Sequence, residues 1–395
     1  MAGFLVAQYV HQRSKPHVRQ TLCYDTSLLG TTENPDGTWS IWHYDWVSDG
    51  FEVLAQRSER VRLVEGSTSE RVVWNEISGE SPHNLSSQRF ALSADDRTPV
   101  LLDFGSLEEQ ADTAFVMDVS VKMVQGTSLL VIPVVAGTNP NANALILWDL
   151  AEQEERGRIA LGNSMAMDPH LSARLGPEKK HIVFYHYDPP RGYFARLCTL
   201  DPFVEVASLC FASGFHGISV SKVSNHVVLA RPMAYLKLEF GLEPGAEFLR
   251  IAGAEGLPER DMTYDSYLEP LTDAVRSRSP KRALDVGEAR RNAVAGTWRD
   301  GLMFWCTVKP PVMKIAKDGE TDFDKVVEVP FPGSGTPHDY FCVSDDGTIL
   351  VIPSGKNTFR LYEIDFPKVT LFRECRLTYD RESETLSMEV STEKP

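Results

Sequence analysis

The feature that most constrains this 395-residue chain is a repeated module in which a turn and a histidine lead into two apolar runs. In residues 215–221 the module reads FHGISVS, and its second apolar run follows at 227–230. A second copy covers 337–352, where Asp-Asp-Gly separates the two runs. A looser copy joins 168–170 to an apolar run at 181–185. Short apolar runs bounded by turn residues predict β-strands, so each copy is a strand–turn–strand unit.

Repetition of such units predicts an all-β chain that forms a single β-propeller of five to seven blades, with seven favoured by the typical length of a blade. Propeller blades are arranged radially, so equivalent positions at the start of each innermost strand face one central channel. The histidines at this position in the three copies are His170, His216 and His338. Imidazole binds iron, copper, zinc and nickel, which makes the three residues candidate metal ligands. The alternative is that they are polar turn residues that hydrogen-bond across a blade.

Net charge, cysteine spacing and the length of apolar runs predict which classes of partner and which cellular compartment the chain would have. The net charge of −15 opposes binding to phosphate backbones, so we expect no nucleic-acid partner. The six cysteines show neither CxxC spacing nor a framework pattern, which predicts reduced thiols. The N-terminal apolar run is too short for a signal peptide, and no stretch approaches the ~18 apolar residues of a membrane span. We therefore expect a cytoplasmic, monomeric protein with no transmembrane segment.

Aromatic residues are concentrated in one early segment. Residues 38–64 read as strands, and Ser-Asp-Gly at 48–50 predicts a hairpin turn between two of them. Trp42 and Trp46 lie in this segment, and Trp305 lies in a later apolar run. Such aromatic residues are typical of packing between blades, and the alternative is that they line an apolar tunnel that binds a substrate.

The repeat pattern is lost in two places. Residues 239–295 carry scattered arginines and lysines and read as an insertion of mixed helix and loop, which could cover the channel as a lid. The polar residues 379–395 read as a C-terminal tail that either pairs as a closing strand or stays disordered, so we place the propeller domain at 1–378. The Trp-Asp dipeptide at 148–149 resembles a WD repeat, but it is a single match.

Around the three histidines the chain resembles the carotenoid cleavage oxygenase family. Residues 167–170, 215–218 and 337–338 are similar to the histidine-bearing segments of three of its blades, and 42–50 are similar to its early aromatic segment. The resemblance covers about half of the chain. It implies a seven-bladed propeller that holds Fe(II) on four axial histidines.

The chain departs from this family at the fourth ligand. No histidine follows His338, so the family's C-terminal ligand has no counterpart. Three possibilities follow: a three-histidine site, a fourth ligand recruited from His43 or Asp118, or a scaffold that holds no metal. Asp118 is a candidate because it stands where the other copies carry histidine.

Three functions fit these residues. The first is an enzyme that acts on an apolar polyene, terpenoid or stilbene-like substrate, by iron-dependent oxidative cleavage or by isomerisation or cyclisation. Fe(II) would bind to the three histidines, and Trp42, Trp46 and Trp305 would line the substrate tunnel. The second is a metal-dependent lactonase or hydrolase in which Asp118 and Asp345 act as general base or metal ligands. The third is a non-enzymatic propeller that binds a protein partner, and bound metal would distinguish it from the other two.

Overall fold

A computed structural model describes most of the chain and shows an all-β architecture. The described residues are 15–68, 71–77, 88–93, 100–101, 114–116, 121–124, 127–136, 143–161, 171–175, 180–188, 192–211, 215, 217–221, 224–231, 234–255, 293–308, 311–317, 325–330, 341–344 and 346–391. They form seven antiparallel sheets that follow one another along the chain. The predictions of a single propeller and of seven blades are confirmed.

The first four blades occupy the N-terminal half of the chain. Blade 1 contains β1 (His17–Cys23), β2 (Ser27–Glu33), β3 (Trp39–Asp45) and β4 (Gly50–Arg57). Blade 2 contains β5 (Arg60–Leu63), β6 (Val72–Ile77), β7 (Gln88–Ser93) and β8 (Val100–Leu101). Blade 3 contains β9 (Ala114–Val116), β10 (Lys122–Met123), β11 (Leu129–Ala136), β12 (Ala144–Asp149) and β13 (Glu154–Ala160). Blade 4 contains β14 (Leu171–Leu175), β15 (His181–Asp188), β16 (Gly192–Leu200) and β17 (Phe203–Phe211).

The remaining three blades complete the ring. Blade 5 contains β18 (Gly217–Val220), β19 (His226–Arg231), β20 (Ala234–Gly241) and β21 (Phe248–Glu255). Blade 6 contains β22 (Ala293–Arg299), β23 (Leu302–Val308), β24 (Pro311–Lys317) and β25 (Val327–Pro330). Blade 7 contains β26 (Cys342–Val343), β27 (Ile349–Pro353), β28 (Thr358–Asp365), β29 (Lys368–Asp380) and β30 (Thr385–Ser391).

Each blade is built from the channel outward. The first strands of neighbouring blades contact one another, as β14 does with β18, β18 with β22 and β1 with β26, so these strands surround the axis. Because the strands alternate in direction, the turns between third and fourth strands lie on the same face as those between first and second strands. We call this the hairpin face. The strand ends that lead from one blade to the next lie on the opposite face, which we call the interblade face.

The second strands explain why the blades pack so closely. The burial pattern of β2 is almost continuous, and β27 is buried along four of its five residues. A radial sheet has a neighbouring blade on each side, so both faces of its middle strands are buried. A propeller therefore has one apolar core in each gap between blades.

A β-bulge recurs between the third and fourth strands. It lies at Ile41/Trp42, Leu147/Trp148, Leu197/Cys198, Lys237/Leu238 and Leu361/Tyr362, in blades 1, 3, 4, 5 and 7. An extra residue on the outer strand increases the local twist, which helps a flat ladder follow the curved circumference.

The predicted boundaries need two corrections. The segment expected as an insertion at 239–295 contains the end of β20, all of β21 and the start of β22, so 239–255 and 293–295 belong to blades 5 and 6. The rest of that segment lies outside the described residues. The boundary expected at 378 falls inside β29, and β30 continues the sheet to Ser391. Of the two expectations for the tail, pairing as a strand is the one observed for 379–380 and 385–391.

Candidate interaction surface at the closing seam

Most of the predicted metal and catalytic residues lie outside the described residues: His170, His216, His338, Asp118 and Asp345. The strands beside two of them are defined. Strand β14 begins directly after His170, and β18 begins directly after His216, each as the first strand of its blade. The roles predicted for the five residues stay predictions.

His43 does not lie on a channel-lining strand. It is on β3, the third strand of blade 1, and its Nδ1 atom lies 3.6 Å from Oε1 of Glu52 on the outermost strand. The Nε2 atom is buried and has no hydrogen-bond partner. Recruitment of His43 to an axial metal would therefore require the side chain to cross two inner strands.

The three predicted tunnel tryptophans occupy two different gaps between blades. Trp42 and Trp46 are buried in one cluster between blades 1 and 7. Trp305 is buried in another cluster, between blades 5 and 6. The structure thus brings Trp42 and Trp46 together and keeps Trp305 away from them. The sequence identified them as interior aromatic residues, but a propeller has seven interior gaps and the sequence did not show which gap each one fills.

The described part of the chain contains neither a metal-binding cluster nor a membrane-spanning helix. No three His, Cys, Asp or Glu side chains within this part of the chain are grouped so that they could hold a metal ion. Nor does any helix in it have the length and apolar character needed to cross a membrane.

The exposed large apolar residues are the feature that the sequence did not reveal. In the part of the chain whose side chains the structure describes, four are exposed, and all lie on outermost strands or on the turn before one: Val47, Val53, Val204 and Phe248, with exposed fractions of 74%, 37%, 44% and 37%. Val47 is the most exposed and shares the β3–β4 hairpin of blade 1 with Val53. This hairpin lies at the seam where blade 7 meets blade 1 and closes the ring.

The turn that carries Val47 is held by its own residues. The carboxylate oxygen Oδ1 of Asp45 accepts hydrogen bonds from the backbone amides of Val47, at 2.8 Å, and Ser48, at 3.3 Å. The amide of Trp46 donates to the carbonyl of Thr26 at 3.2 Å. Asp49 has a φ of 57°, in the left-handed region that Asp tolerates better than most residues. The predicted hairpin turn at 48–50 is confirmed.

Blade 7 fixes the same turn from the other side of the seam. The Arg373 guanidinium donates to the carbonyl of Trp46 at 2.9 Å and forms an ion pair with Asp49 at 3.0 Å. The hydroxyl of Tyr44 also donates to Asp49, at 3.1 Å. Burial is the main reason why the pKa of Tyr44 is raised, which keeps that hydroxyl a donor. Arg373 is only 15% exposed, so it supports the turn from below.

An apolar layer lies beneath the turn. The indole of Trp42 stacks on Phe359 of blade 7, with 5.8 Å between ring centroids and 9° between ring planes. Its Nε1 atom donates to Thr32 at 2.8 Å. The ring passes so close to Gly30 that any Cβ there would overlap it. The turn therefore rests on side chains that have little freedom to move.

The surface around Val47 combines apolar and acidic groups. Phe51 and Val53 pair with Tyr44 and Trp42, so they lie on the side of β4 that faces blade 7. Asp45 and Asp49 lie on the turn itself, and Asp49 is 53% exposed. We call Val47, Phe51, Val53 and the turn 45–50 the seam surface. It presents a rigid apolar side chain beside carboxylates, an arrangement suited to binding.

No protein-family model and no curated protein matches the sequence. Among solved structures, the chain is similar to one in the crystal structure of the mitotic checkpoint complex, with 9% identity, a TM-score of 0.50, and coverage of 88% of this chain and 87% of that chain. It is also similar to one in the complex of KlAtg21 with the coiled-coil of AgAtg16, with 10% identity, a TM-score of 0.52, and coverage of 92% and 100%. At these identities the likeness establishes the fold, which is a β-propeller.

Proposed function

We propose that this chain is a propeller scaffold that binds a protein partner through the seam surface. The observation that carries the proposal is Val47, an apolar residue that is 74% exposed on a turn fixed by both blades of the closing seam. A turn tip held this firmly would ordinarily carry a polar residue or glycine. An apolar side chain that a rigid turn holds in solvent can be buried in a partner without first being ordered.

Rigidity matters because binding has to offset lost conformational freedom. A flexible loop is ordered when it binds, and that ordering weakens the complex. The Val47 turn is already ordered by Asp45 from within and by Arg373 from blade 7. Burying Val47 in a partner would therefore contribute to affinity with little further loss of entropy.

The similar structures support the proposal without carrying it. One was solved as part of the mitotic checkpoint complex, and the other in complex with a coiled-coil. These complexes were observed for the two similar proteins and not for this chain. They favour a protein partner over a small-molecule substrate for a chain with the same fold.

The test is affinity capture with the full chain immobilised and exposed to an extract of the cells from which the sequence comes. We expect Val47→Asp to reduce capture of at least one protein by about 30-fold, which corresponds to the ~2 kcal/mol of an interface anchor. Val47→Leu, which keeps an apolar tip, should retain most of the binding.

Val204→Asp is the matched control because Val204 is also an exposed valine, on the outermost strand of blade 4. It should leave the capture unchanged. Equal capture by wild type and Val47→Asp would show that the seam surface is not the binding site.

The iron-dependent enzyme is tested on the same preparation. Metal content is measured after anaerobic loading with ferrous iron, in the wild type and in His216→Ala. Iron near one equivalent that is lost in the variant would support the oxygenase, whereas the scaffold proposal requires partner capture to be the same with and without iron.

A further inference from the structure

We infer that the seam surface binds an apolar pocket whose rim carries lysine or arginine. This inference rests on the proposed function and adds the chemistry of the partner to it. Val47 is a single side chain at the tip of a turn, so a partner can bury it only by surrounding it. The complementary shape is a pocket, and a flat surface would leave most of the valine in water.

The charges around Val47 define the rim. Asp45 and Asp49 lie two residues before and two residues after it. Asp45 uses Oδ1 to accept the amides of Val47 and Ser48, and hydrogen bonding from the Val47 amide is the main cause of its lowered pKa, so it stays ionised. Glu52 lies on the opposite face of β4, where it contacts His43, and is not part of this rim.

The cation nearest the turn pairs with Asp49 and leaves the charge of Asp45 uncompensated. Arg373 lies beneath the turn, is only 15% exposed and pairs with Asp49. The surface presented to solvent therefore remains acidic around Val47, and the whole chain carries a net charge of −15. Complementary charge on the partner would increase the rate of encounter and exclude acidic surfaces.

A second copy of this chain does not fit the description. Two seam surfaces facing each other would bring their carboxylates together, and like charges placed in contact across an interface weaken it. Self-association of the purified wild type that is lost in Val47→Asp, measured by light scattering, would overturn the inference.

The test uses Asp45→Asn, because the amide oxygen can still accept the hydrogen bonds of the turn while the charge is removed. The protein whose capture depends on Val47 is purified, and its association rate with immobilised wild type and variant is measured over a salt series. We expect Asp45→Asn to slow association about threefold at low salt, with the two rates converging at high salt and dissociation almost unchanged.

Asp380→Asn is the matched control. Asp380 also accepts a turn amide, that of Glu382 at 2.9 Å, but lies at the opposite, interblade face. It should leave the association rate at the wild-type value.

The outcomes separate the inference from the proposed function. A partner that requires Val47 but associates with Asp45→Asn as fast as with wild type, at every salt concentration, would overturn the basic rim and leave the scaffold proposal intact. Absence of any protein whose capture depends on Val47 would overturn both.

Discussion

The seam between blades 7 and 1 and the seam between blades 4 and 5 are built differently. Between blades 4 and 5 the contact is an apolar cluster that includes Val183, Leu197, Leu229 and Leu238. The amide of Phe215 adds one hydrogen bond, to the hydroxyl of Tyr185 at 2.8 Å. The closing seam has an apolar cluster of similar extent, and it adds an ion pair, charged hydrogen bonds and an extra strand.

Chain connectivity accounts for the difference. Strand β18 follows β17 after five residues, so blades 4 and 5 remain neighbours even when their contact loosens. The closing seam joins residues that are 327 positions apart, as in Arg373 and Trp46. No short tether holds those residues together, and the entropy of bringing distant segments together must be offset by the contacts themselves.

The C-terminal hairpin supplies part of that extra contact. Strand β29 extends beyond Thr358, the first residue of β28. Strand β30 pairs with the second half of β29, from Glu374 to Asp380. Leu386 of β30 is buried in the closing seam, and Met388 and Val390 pack against it. The fifth strand of blade 7 thus covers the flank of blade 1 that would otherwise lie at an open edge.

The largest expected effect is the loss of Trp42. Replacing it by alanine leaves a cavity beside Phe359 and removes the hydrogen bond to Thr32, so we expect the free energy of unfolding to fall by about 4 kcal/mol. Urea denaturation followed by fluorescence measures it. Because this seam has no short tether, we also expect faster amide exchange in β1 and β26.

The matched substitution at the other seam is Leu229→Ala. Leu229 is fully buried between blades 4 and 5, and its loss should cost about 3 kcal/mol. It should not accelerate exchange selectively in β1 and β26. If both variants accelerate exchange evenly over all blades, the two seams do not differ in the way that connectivity predicts.

The aromatic residues around Trp42 show which features of the fold could be predicted from the sequence. It identified the segment around Trp42 as strands joined by a hairpin at 48–50, and the structure agrees. It also gave the blade architecture, because alternation of apolar runs and turns is local. The contact between Trp42 and Phe359 could not be predicted from the sequence. The two residues are 317 positions apart (359 − 42), and their contact depends on how blade 7 packs against blade 1.

The two boundary errors have a similar origin. Residues 242–247 form a turn rich in Gly, Pro and Glu between β20 and β21, and this composition concealed the strands on either side. In β30, polar side chains alternate with apolar ones because one face is solvated, so the segment looked like a tail. An outer strand with one solvent-exposed face has a less apolar sequence pattern than a strand buried on both faces, so it is harder to predict.

Substitution of Arg373 is a second test of the difference between the closing seam and the seam between blades 4 and 5. Arg373→Met keeps much of the apolar stem but removes the ion pair with Asp49 and the bond to the Trp46 carbonyl. We expect a loss of about 2 kcal/mol, because charge-assisted bonds at a largely buried site contribute more than neutral ones. Tyr185→Phe removes the neutral bond at the other seam and should cost about 1 kcal/mol.

A double-mutant cycle isolates the ion pair. Combining Arg373→Met with Asp49→Asn should show a coupling of about 1 kcal/mol in urea denaturation. Additive losses would mean that the ion pair with Asp49 contributes nothing, and that Arg373 acts through its bond to the Trp46 carbonyl and through packing. The Arg373 variant should also weaken partner capture, because the turn beneath Val47 loses its support from blade 7.

The smallest expected effect lies at the outer end of the closing seam. The hydroxyl of Tyr379 on the C-terminal hairpin donates to Asp36 of blade 1 at 2.5 Å. Partial burial opposes ionisation of Asp36, but hydrogen bonds from Tyr379 and Thr38 outweigh it and lower its pKa. A carboxylate with a lowered pKa stabilises the fold above its unfolded pKa, about 3.9, and this contribution is lost as pH falls through the folded value.

Tyr379→Phe should therefore cost about 0.5 kcal/mol at neutral pH, at the low end for a hydrogen bond because both groups are solvent-accessible. The difference from wild type should shrink as the pH falls below about 4, since protonated Asp36 no longer distinguishes the two chains. Thermal unfolding of the wild type and the variant over a pH series measures this difference. If the stability difference between wild type and variant stayed constant down to acid pH, the effect of Tyr379 would come from packing. The hydrogen bond to Asp36 would then not contribute to ring closure.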